Sequence, residues 1–176
     1  SLFSECSSLT EIKGLEVLDT SKVTSMNSLF KECNNLKELD VSTFNTSSVT
    51  NFSRFLSSMY LLENVPNYDT SNGINFENAV STYNDQYSYG QSWHLTTMPF
   101  WNTAKGQQFD SMFENQMALV TLPNFNMANA FYTSNMLHCC ENLTSFLPRQ
   151  FNKVVSSAYM FRKCKSLTHI DDLHMN

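Results

Sequence analysis

Glycine, proline and basic residues are scarce in this chain of 176 residues. It contains 4 Gly, 4 Pro and 11 Lys plus Arg against 16 Asp plus Glu, which gives a formal net charge of -5. The few basic residues are scattered, which argues against binding to a nucleic-acid backbone. Since no Gly-rich phosphate loop and no Gly-x-Ser-x-Gly motif occurs, the sequence does not indicate nucleotide binding or α/β-hydrolase chemistry.

Long apolar runs are missing as well. No stretch approaches the roughly 18 apolar residues of a membrane-spanning helix, and no charged-then-apolar leader opens the chain. Hydrophobic residues nevertheless make up 41% of the sequence and aromatic residues 13%, which is too apolar for a disordered chain. We expect one soluble folded array over residues 1–176. Because it starts without Met and in the middle of a motif, we expect it to belong to a longer protein.

The chain does contain a repeated phrase. Residues 2–26 and residues 29–52 both begin with Leu-Phe, place Cys three residues after the Phe and Leu three residues after the Cys, and reach an Asn/Asp-Thr-Ser turn followed by Val-Thr. The column of marker residues that starts with this Phe reads Phe3, Phe30, Leu56, Val80, Phe113, Leu137 and Phe161. A second column holds Leu9, Leu36, Leu62, Leu119, Leu143 and Leu167. Such columns indicate stacked structural repeats.

Each repeat predicts one short helix and one short strand. Ahead of the marker residue, Val23, Met26, Phe30 and Cys33 have the three-to-four spacing of a helix with one buried stripe. After it, residues 36–41 place apolar side chains at alternating positions, as a strand does. Since neither element can bury its apolar face alone, the pattern predicts an α/β repeat fold, a right-handed solenoid of six to seven coils with parallel strands along one side.

The repeated phrase resembles a known family. Residues 18–36, LDTSKVTSMNSLFKECNNL, and residues 36–52, LKELDVSTFNTSSVTNF, are similar to the repeats LDLSNFDTSNVTNMSSMFSGCSSLT of the BspA-type leucine-rich repeat surface proteins. The resemblance implies a leucine-rich-repeat-like solenoid on a bacterial, protist or viral surface, where it adheres to host molecules. This chain departs from the family pattern by replacing SGC with SEC, KEC, HCC or RKC.

The cysteines leave alternatives open. Cys6 and Cys33 occupy stacked positions, as do Cys140 and Cys164, and coils at sheet spacing would bring each pair within the Cα range of a disulfide, about 4.4–6.8 Å. The same column also holds Met59, Tyr83 and Gln116. This composition favours buried thiols that act as small hydrophobic side chains.

The sequence gives only weak evidence for catalytic or metal-binding residues. His138-Cys139-Cys140 lacks a second ligand pair at zinc-finger spacing. Asp171 and Asp172 lie close to His169 and His174 in the sequence, and a solvated face explains them more simply than a metal or acid–base cluster. A nucleophile, a base and an orienting group are not recognisable together. We therefore expect no enzymatic activity, no metal and no other cofactor.

One repeat is irregular. The marker spacing widens to 33 residues between Val80 and Phe113, so we expect an irregular coil with an insertion over about residues 80–108. The inserted segment STYNDQYSYGQSWHL combines large aromatic residues with Ser, Gly, Asn and Gln, which is the composition of binding loops. Alternatively, the rings fold back and plug a widened coil, with Tyr83 in the cysteine column.

Two functions fit these features. The first is a non-enzymatic, surface-exposed binding or adhesion module that recognises a protein or glycan on a host or neighbouring surface. The second is a structural subunit or spacer of a virion or surface-layer assembly, bound to other chains. The candidate binding residues are Tyr87, Tyr89 and Trp93 in the insertion and the exposed strand positions Glu11, Glu38, Asn64, Thr121, Ser145 and His169. Either function predicts an extracellular location, on a cell surface or a virion surface.

Overall fold

A computed structural model describes residues 1–82, 95–148 and 150–170. Regular secondary structure is sparse in this part of the chain. It comprises one 3₁₀ helix, Leu15–Val17, and two strands, β1 (Ser145–Phe146) and β2 (His169–Ile170), which pair in parallel with Ser145 opposite His169. The prediction of an α/β, leucine-rich-repeat-like solenoid with a strand and a helix in every coil is therefore wrong.

Consecutive β-turns take the place of the predicted helix. The N–H of Leu29 donates to the Met26 carbonyl and the N–H of Cys33 donates to the Phe30 carbonyl, both at 3.2 Å. The third residues of these turns, Ser28 and Glu32, have positive φ angles of 53° and 61°, as type II turns require. A left-handed residue at every fourth position interrupts the continuous right-handed φ and ψ values that a helix needs.

The alternate N–H groups of this segment bond to the next repeat. Those of Met26, Ser28, Phe30 and Glu32 donate to the carbonyls of Asn51, Ser53, Phe55 and Ser57 at distances of 2.8–3.1 Å. In a helix these groups would bond four residues back along the same segment. The apolar spacing of three to four residues thus identified Met26, Phe30 and Cys33 correctly as buried, with Val23 half-buried, but turns produce that spacing here.

Parallel bridges join the repeats in sequence order. The bridged pairs are Ser25–Asn51, Asn51–Asn75, Asn75–Gln108, Gln108–Tyr132 and Tyr132–Ser156. Each partner lies five residues before the marker residue of its repeat. The register read from the sequence is therefore the register of the stack, and it is kept across the repeat in which the spacing widens to 33 residues.

The core runs through the stack as columns of side chains. The fully buried marker residues are Phe30, Leu56, Val80, Phe113 and Leu137. Aromatic rings also stack from repeat to repeat, with centroid distances of 5.6 Å for Phe52–Phe76 and 5.4 Å for Phe76–Phe109. Because each ring is covered by side chains of two neighbouring repeats, one repeat cannot bury its own core.

Buried threonines add a polar ladder between repeats. The hydroxyls of Thr20, Thr46, Thr70 and Thr103 donate to the carbonyls of Asn45, Asp69, Asn102 and Asn126 at 2.8–3.2 Å. The Asx residue before each Thr caps the same turn. Asp19, for example, accepts a hydrogen bond from the Ser21 N–H at 3.0 Å, and the hydrogen bonds from Ser21 lower the pKa of the Asp19 carboxyl.

All five cysteines are free thiols. The thiols of Cys33, Cys140 and Cys164 each donate to the carbonyl of the marker residue in the preceding repeat, at 3.1–3.2 Å. Burial raises the pKa of Cys33 and of Cys164 to about 11. These thiols therefore pack as neutral donors, whereas Cys6, in the first repeat of the stack, is exposed.

Candidate functional site

A row of polar side chains follows one side of the stack, eight residues after the marker residue. Glu11, Glu38, Asn64, Thr121 and His169 are exposed, and Ser145 is half-buried. Backbone bonds beside the row connect its later members, because the Thr144 N–H donates to the Val120 carbonyl at 3.2 Å and the Thr168 N–H donates to the Thr144 carbonyl at 3.0 Å. The structure thus brings Thr121, Ser145 and His169 onto neighbouring repeats.

This row is interrupted near its middle. The Glu63 N–H donates to the Lys37 carbonyl at 3.0 Å on one side, and the Val120 N–H donates to the Thr96 carbonyl at 2.9 Å on the other. Among the described residues, no backbone hydrogen bond joins 63–66 to 95–99. Since the chain carries its insertion between these two segments, the backbone hydrogen bonds beside the polar row are interrupted where the repeat lengthens.

A groove of about 280 Å³ lies at the interruption. Its polar lining residues are Glu63, Asn64, Thr96 and Thr97, and its apolar ones are Val65, Leu95, Met98 and Pro99. The four polar residues are exposed, whereas Val65, Leu95 and Met98 are each less than a tenth exposed. The groove therefore has a polar rim over a buried apolar floor, as small-molecule sites commonly do.

The rim offers a mixed set of hydrogen-bonding groups. The Glu63 carboxylate accepts, the Asn64 amide both donates and accepts, and the hydroxyls of Thr96 and Thr97 do both. Among the described residues that line the groove, the Glu63 carboxylate is the only charged group. This set suits a neutral ligand with several hydroxyl or amide groups better than it suits an anion.

The predicted site residues fall at different places. Asn64 lines the groove, and the Thr121 N–H makes a long contact of 3.5 Å with the Thr96 carbonyl. Glu38 lies in the repeat before the groove, and Glu11 is farther along the stack, where it pairs with Lys13 at 3.2 Å. Tyr87, Tyr89 and Trp93 lie outside the described residues.

Three polar residues of the groove were missed by the sequence reasoning: Glu63, Thr96 and Thr97. Counting could have found Thr97, because the irregular spacing exceeds the usual 24 residues by nine. Shifting the columns by nine places Leu95 in the leucine column, where it is 3% exposed, and Thr97 in the polar row. Leu95 is thus a core residue and not the end of a loop.

Metal binding and membrane crossing find no support in the described part of the chain. No group of three or more His, Cys, Asp or Glu there is arranged to hold an ion. Its single short helix is neither long nor apolar enough to cross a membrane. His138 and Glu114 form an isolated pair, with 2.9 Å between Nδ1 and Oε1. Their contact is consistent with a local link between two repeats.

Comparison with known proteins gives one family. The family model described as "Mycoplasma protein of unknown function, DUF285" matches residues 1–98 and again residues 80–172. This family is associated with BspA-like repeat surface proteins. No curated protein and no solved structure matches the chain significantly.

Proposed function

We propose, because the chain belongs to the DUF285 family, that it is a non-enzymatic binding module exposed on a cell surface. Its ligand is a glycan or a protein, and the groove between Glu63 and Thr97 is the site where one ligand group is held. The observation that carries the proposal is the interruption of the polar row by a groove with a hydrogen-bonding rim and an apolar floor.

A sugar fits this groove best. Sugar hydroxyls both donate and accept hydrogen bonds, and the carboxylate, amide and hydroxyl groups of the rim can satisfy both roles. The C–H face of a sugar ring can lie over Val65, Met98 and Pro99. A volume of about 280 Å³ is near the lower end of small-molecule sites, so the groove holds one ring and the rest of a glycan lies along the polar row.

The lining also supports binding without catalysis. Glycoside hydrolysis ordinarily uses two carboxyl groups that flank the scissile bond, and the described lining of the groove supplies only one, that of Glu63. The lining residues that the structure describes include no His, Cys or Lys that could act as a base or a nucleophile. The rim therefore supports a site that binds its ligand and releases it chemically unchanged.

Glycan arrays test the proposal directly. The purified, labelled chain is applied to an array of host-surface glycans, and the affinity of each hit is measured by titration calorimetry. Asn64→Ala and Thr97→Val should each weaken binding by about tenfold, since each removes a hydrogen bond of about 1 kcal/mol or more. Glu38→Gln, on the same row but outside the groove, is the matched control and should bind as the parent does.

The outcomes separate the ligand classes. Loss of binding in the two groove variants, with an unchanged melting temperature and an unchanged control, supports the proposal. Glycan binding that survives both substitutions places the site elsewhere. If no glycan binds and a surface protein does, with the same sensitivity to Asn64→Ala, the groove stands and the ligand is protein.

A further inference from the structure

Phe100 is the one exposed phenylalanine of the chain. All 14 phenylalanines lie among the described residues, and each of the others is buried or half-buried. Phe100 is 61% exposed, although the residue that follows it, Trp101, is fully buried and lies against Tyr68 with 5.5 Å between the ring centroids. A single apolar residue on a surface is ordinary, so the position of this ring decides whether it has a role.

The Phe100 ring follows directly on the lining of the groove. Pro99, the residue before it, lines the groove together with Thr97 and Met98, and consecutive Cα atoms are about 3.8 Å apart. A ligand that extends from the groove past Pro99 therefore meets the Phe100 ring.

Asparagine occupies the equivalent position in both neighbouring repeats. Asn67, Phe100 and Asn124 each stand 13 residues before a marker residue and directly after a proline, and both asparagines are exposed. Just beyond this position, the threonine hydroxyls of the polar ladder join the three segments side by side, with hydrogen bonds of 3.1 and 2.8 Å. The exposed ring is thus flanked by two amide side chains.

The charges around the ring favour a neutral ligand. Residues 63–69, 95–103 and 119–126 contain two carboxylates, those of Glu63 and Asp69, and no Lys, Arg or His. Hydrogen bonds from Ser71 lower the pKa of Asp69, which keeps its carboxylate charged at neutral pH. Because like charges repel, these segments disfavour sulfated or sialylated glycans.

We propose that Phe100, Asn67 and Asn124 form a second sugar subsite beside the groove, so that the ligand is a neutral glycan of at least two rings. This inference rests on the proposed function, since the groove holds the first ring. The face of an aromatic ring carries partial negative charge and attracts the C–H bonds on the face of a second sugar. The asparagine amides on either side donate and accept hydrogen bonds, as the hydroxyls of that sugar require.

Phe100→Asn tests the second subsite, because it gives this repeat the residue that both neighbours have. An array of neutral di- to hexasaccharides, printed beside sulfated and sialylated forms of the same chains, identifies the probe. The affinity of the strongest neutral oligosaccharide is measured by titration calorimetry, and the affinities of its constituent monosaccharides are measured by NMR titration.

Two control variants accompany Phe100→Asn. Phe100→Tyr keeps the ring at the same position. Val17→Asn removes an exposed apolar side chain from the equivalent position of a distant repeat, where Val17 is 79% exposed. Thermal denaturation checks that every variant is folded, and all three should melt as the parent does because both positions are exposed.

Phe100→Asn should weaken binding of the oligosaccharide about tenfold and leave monosaccharide binding unchanged, whereas Phe100→Tyr and Val17→Asn should bind both as the parent does. Asn64→Ala should weaken the binding of both sugars, since it alters the groove itself. The acidic forms of the oligosaccharide should bind more weakly than the neutral form.

The failures of the two proposals can be told apart. Oligosaccharide binding that falls in Asn64→Ala but is unchanged in Phe100→Asn would overturn the second subsite and leave the proposed function standing. An equal loss of monosaccharide and oligosaccharide binding in Phe100→Asn, or tighter binding of the acidic forms, would also overturn the inference. If the parent binds no glycan, or binds only a protein, the sugar site in the groove fails and the second subsite fails with it.

Discussion

Replacing Ser111 by Gly should stabilise this chain, whereas replacing it by Ala should not. Ser111 is the third residue of a turn in which the Met112 N–H donates to the Phe109 carbonyl at 3.1 Å, and its φ is 54°. A Cβ in the left-handed region costs about 1–2 kcal/mol, which Gly avoids. Gly also loses about 0.5–1 kcal/mol through its greater freedom in the unfolded chain. The Gly variant should therefore be more stable than the Ala variant by up to about 1.5 kcal/mol, and by about 0.75 kcal/mol from the mid-range values.

Ala128 is a reference site that allows the unfolded-state entropy of Gly to be subtracted from the result at Ser111. Ala128 is also a turn residue, and its N–H donates to the Asn126 side chain at 3.0 Å, but its φ is not positive. Ala128→Gly should destabilise the chain by about 0.5–1 kcal/mol. Because the entropy of Gly enters both comparisons equally, the difference between them isolates the left-handed term, about 1–2 kcal/mol.

Urea unfolding followed by circular dichroism measures these differences, and thermal scans give an independent reading of about 2–4 °C for each kcal/mol in a chain of this size. If residues 108–116 formed a helix, Gly would be worse than Ala at Ser111 by about 1 kcal/mol. The turn assignment therefore requires that the Gly variant at position 111 has a higher free energy of unfolding than the Ala variant. A Gly variant that is less stable than the Ala variant would refute the turns and favour a helix.

Three further predictions concern packing and titration. Gly106→Ala places a Cβ in steric overlap with Phe109 Cζ, so it should cost about 1–3 kcal/mol. Phe109→Leu in the same chain should recover part of that loss in thermal denaturation. Leu143→Ala should cost about 2–5 kcal/mol because Leu143 is fully buried, whereas Thr121→Ala should stay within about 0.5 kcal/mol in urea titrations. Folding raises the pKa of Cys33 from 9.0 to about 11. The contribution of this thiol to stability is therefore complete below pH 9 and should be lost as the pH rises through 11. Urea titrations at several pH values should show this loss, and Cys33→Ala should reduce it.

The register of the repeats could be predicted from the sequence because it depends only on which side chains are apolar. Stacked repeats bury equivalent positions, so Phe30, Leu56 and Phe113 share a column in the sequence and in the core. The exposed row at Glu38, Asn64 and their equivalents follows from the same count. These inferences need no knowledge of backbone angles.

The backbone itself could not be predicted in this way. Turns that repeat every four residues and a helix of 3.6 residues per turn give nearly the same apolar spacing. The turns could not be recognised from residue types. The residues with left-handed backbone include Arg54, Cys139, Tyr159 and Lys163 as well as Asn78, and of these types only Asn is enriched in that conformation. The groove was also hidden, since it depends on how the longer repeat separates Asn64 from Thr97.

The BspA-type repeat that this sequence resembles contained information about the backbone that the apolar pattern did not. Its SGC step places Gly immediately before the cysteine, where this chain has Glu5, Glu32, Cys139 and Lys163, with φ angles between 61° and 64°. Gly in the phrase therefore corresponds to the left-handed third position of a turn. Three of the four residues that replace Gly are held by neighbours, because the N–H groups of Glu5, Glu32 and Cys139 each donate to a carbonyl of the next repeat at 2.7–2.8 Å.

Lys163 is the exception, since its N–H has no such partner in the described chain. Its left-handed φ of 63° costs free energy that no such hydrogen bond offsets among the described residues.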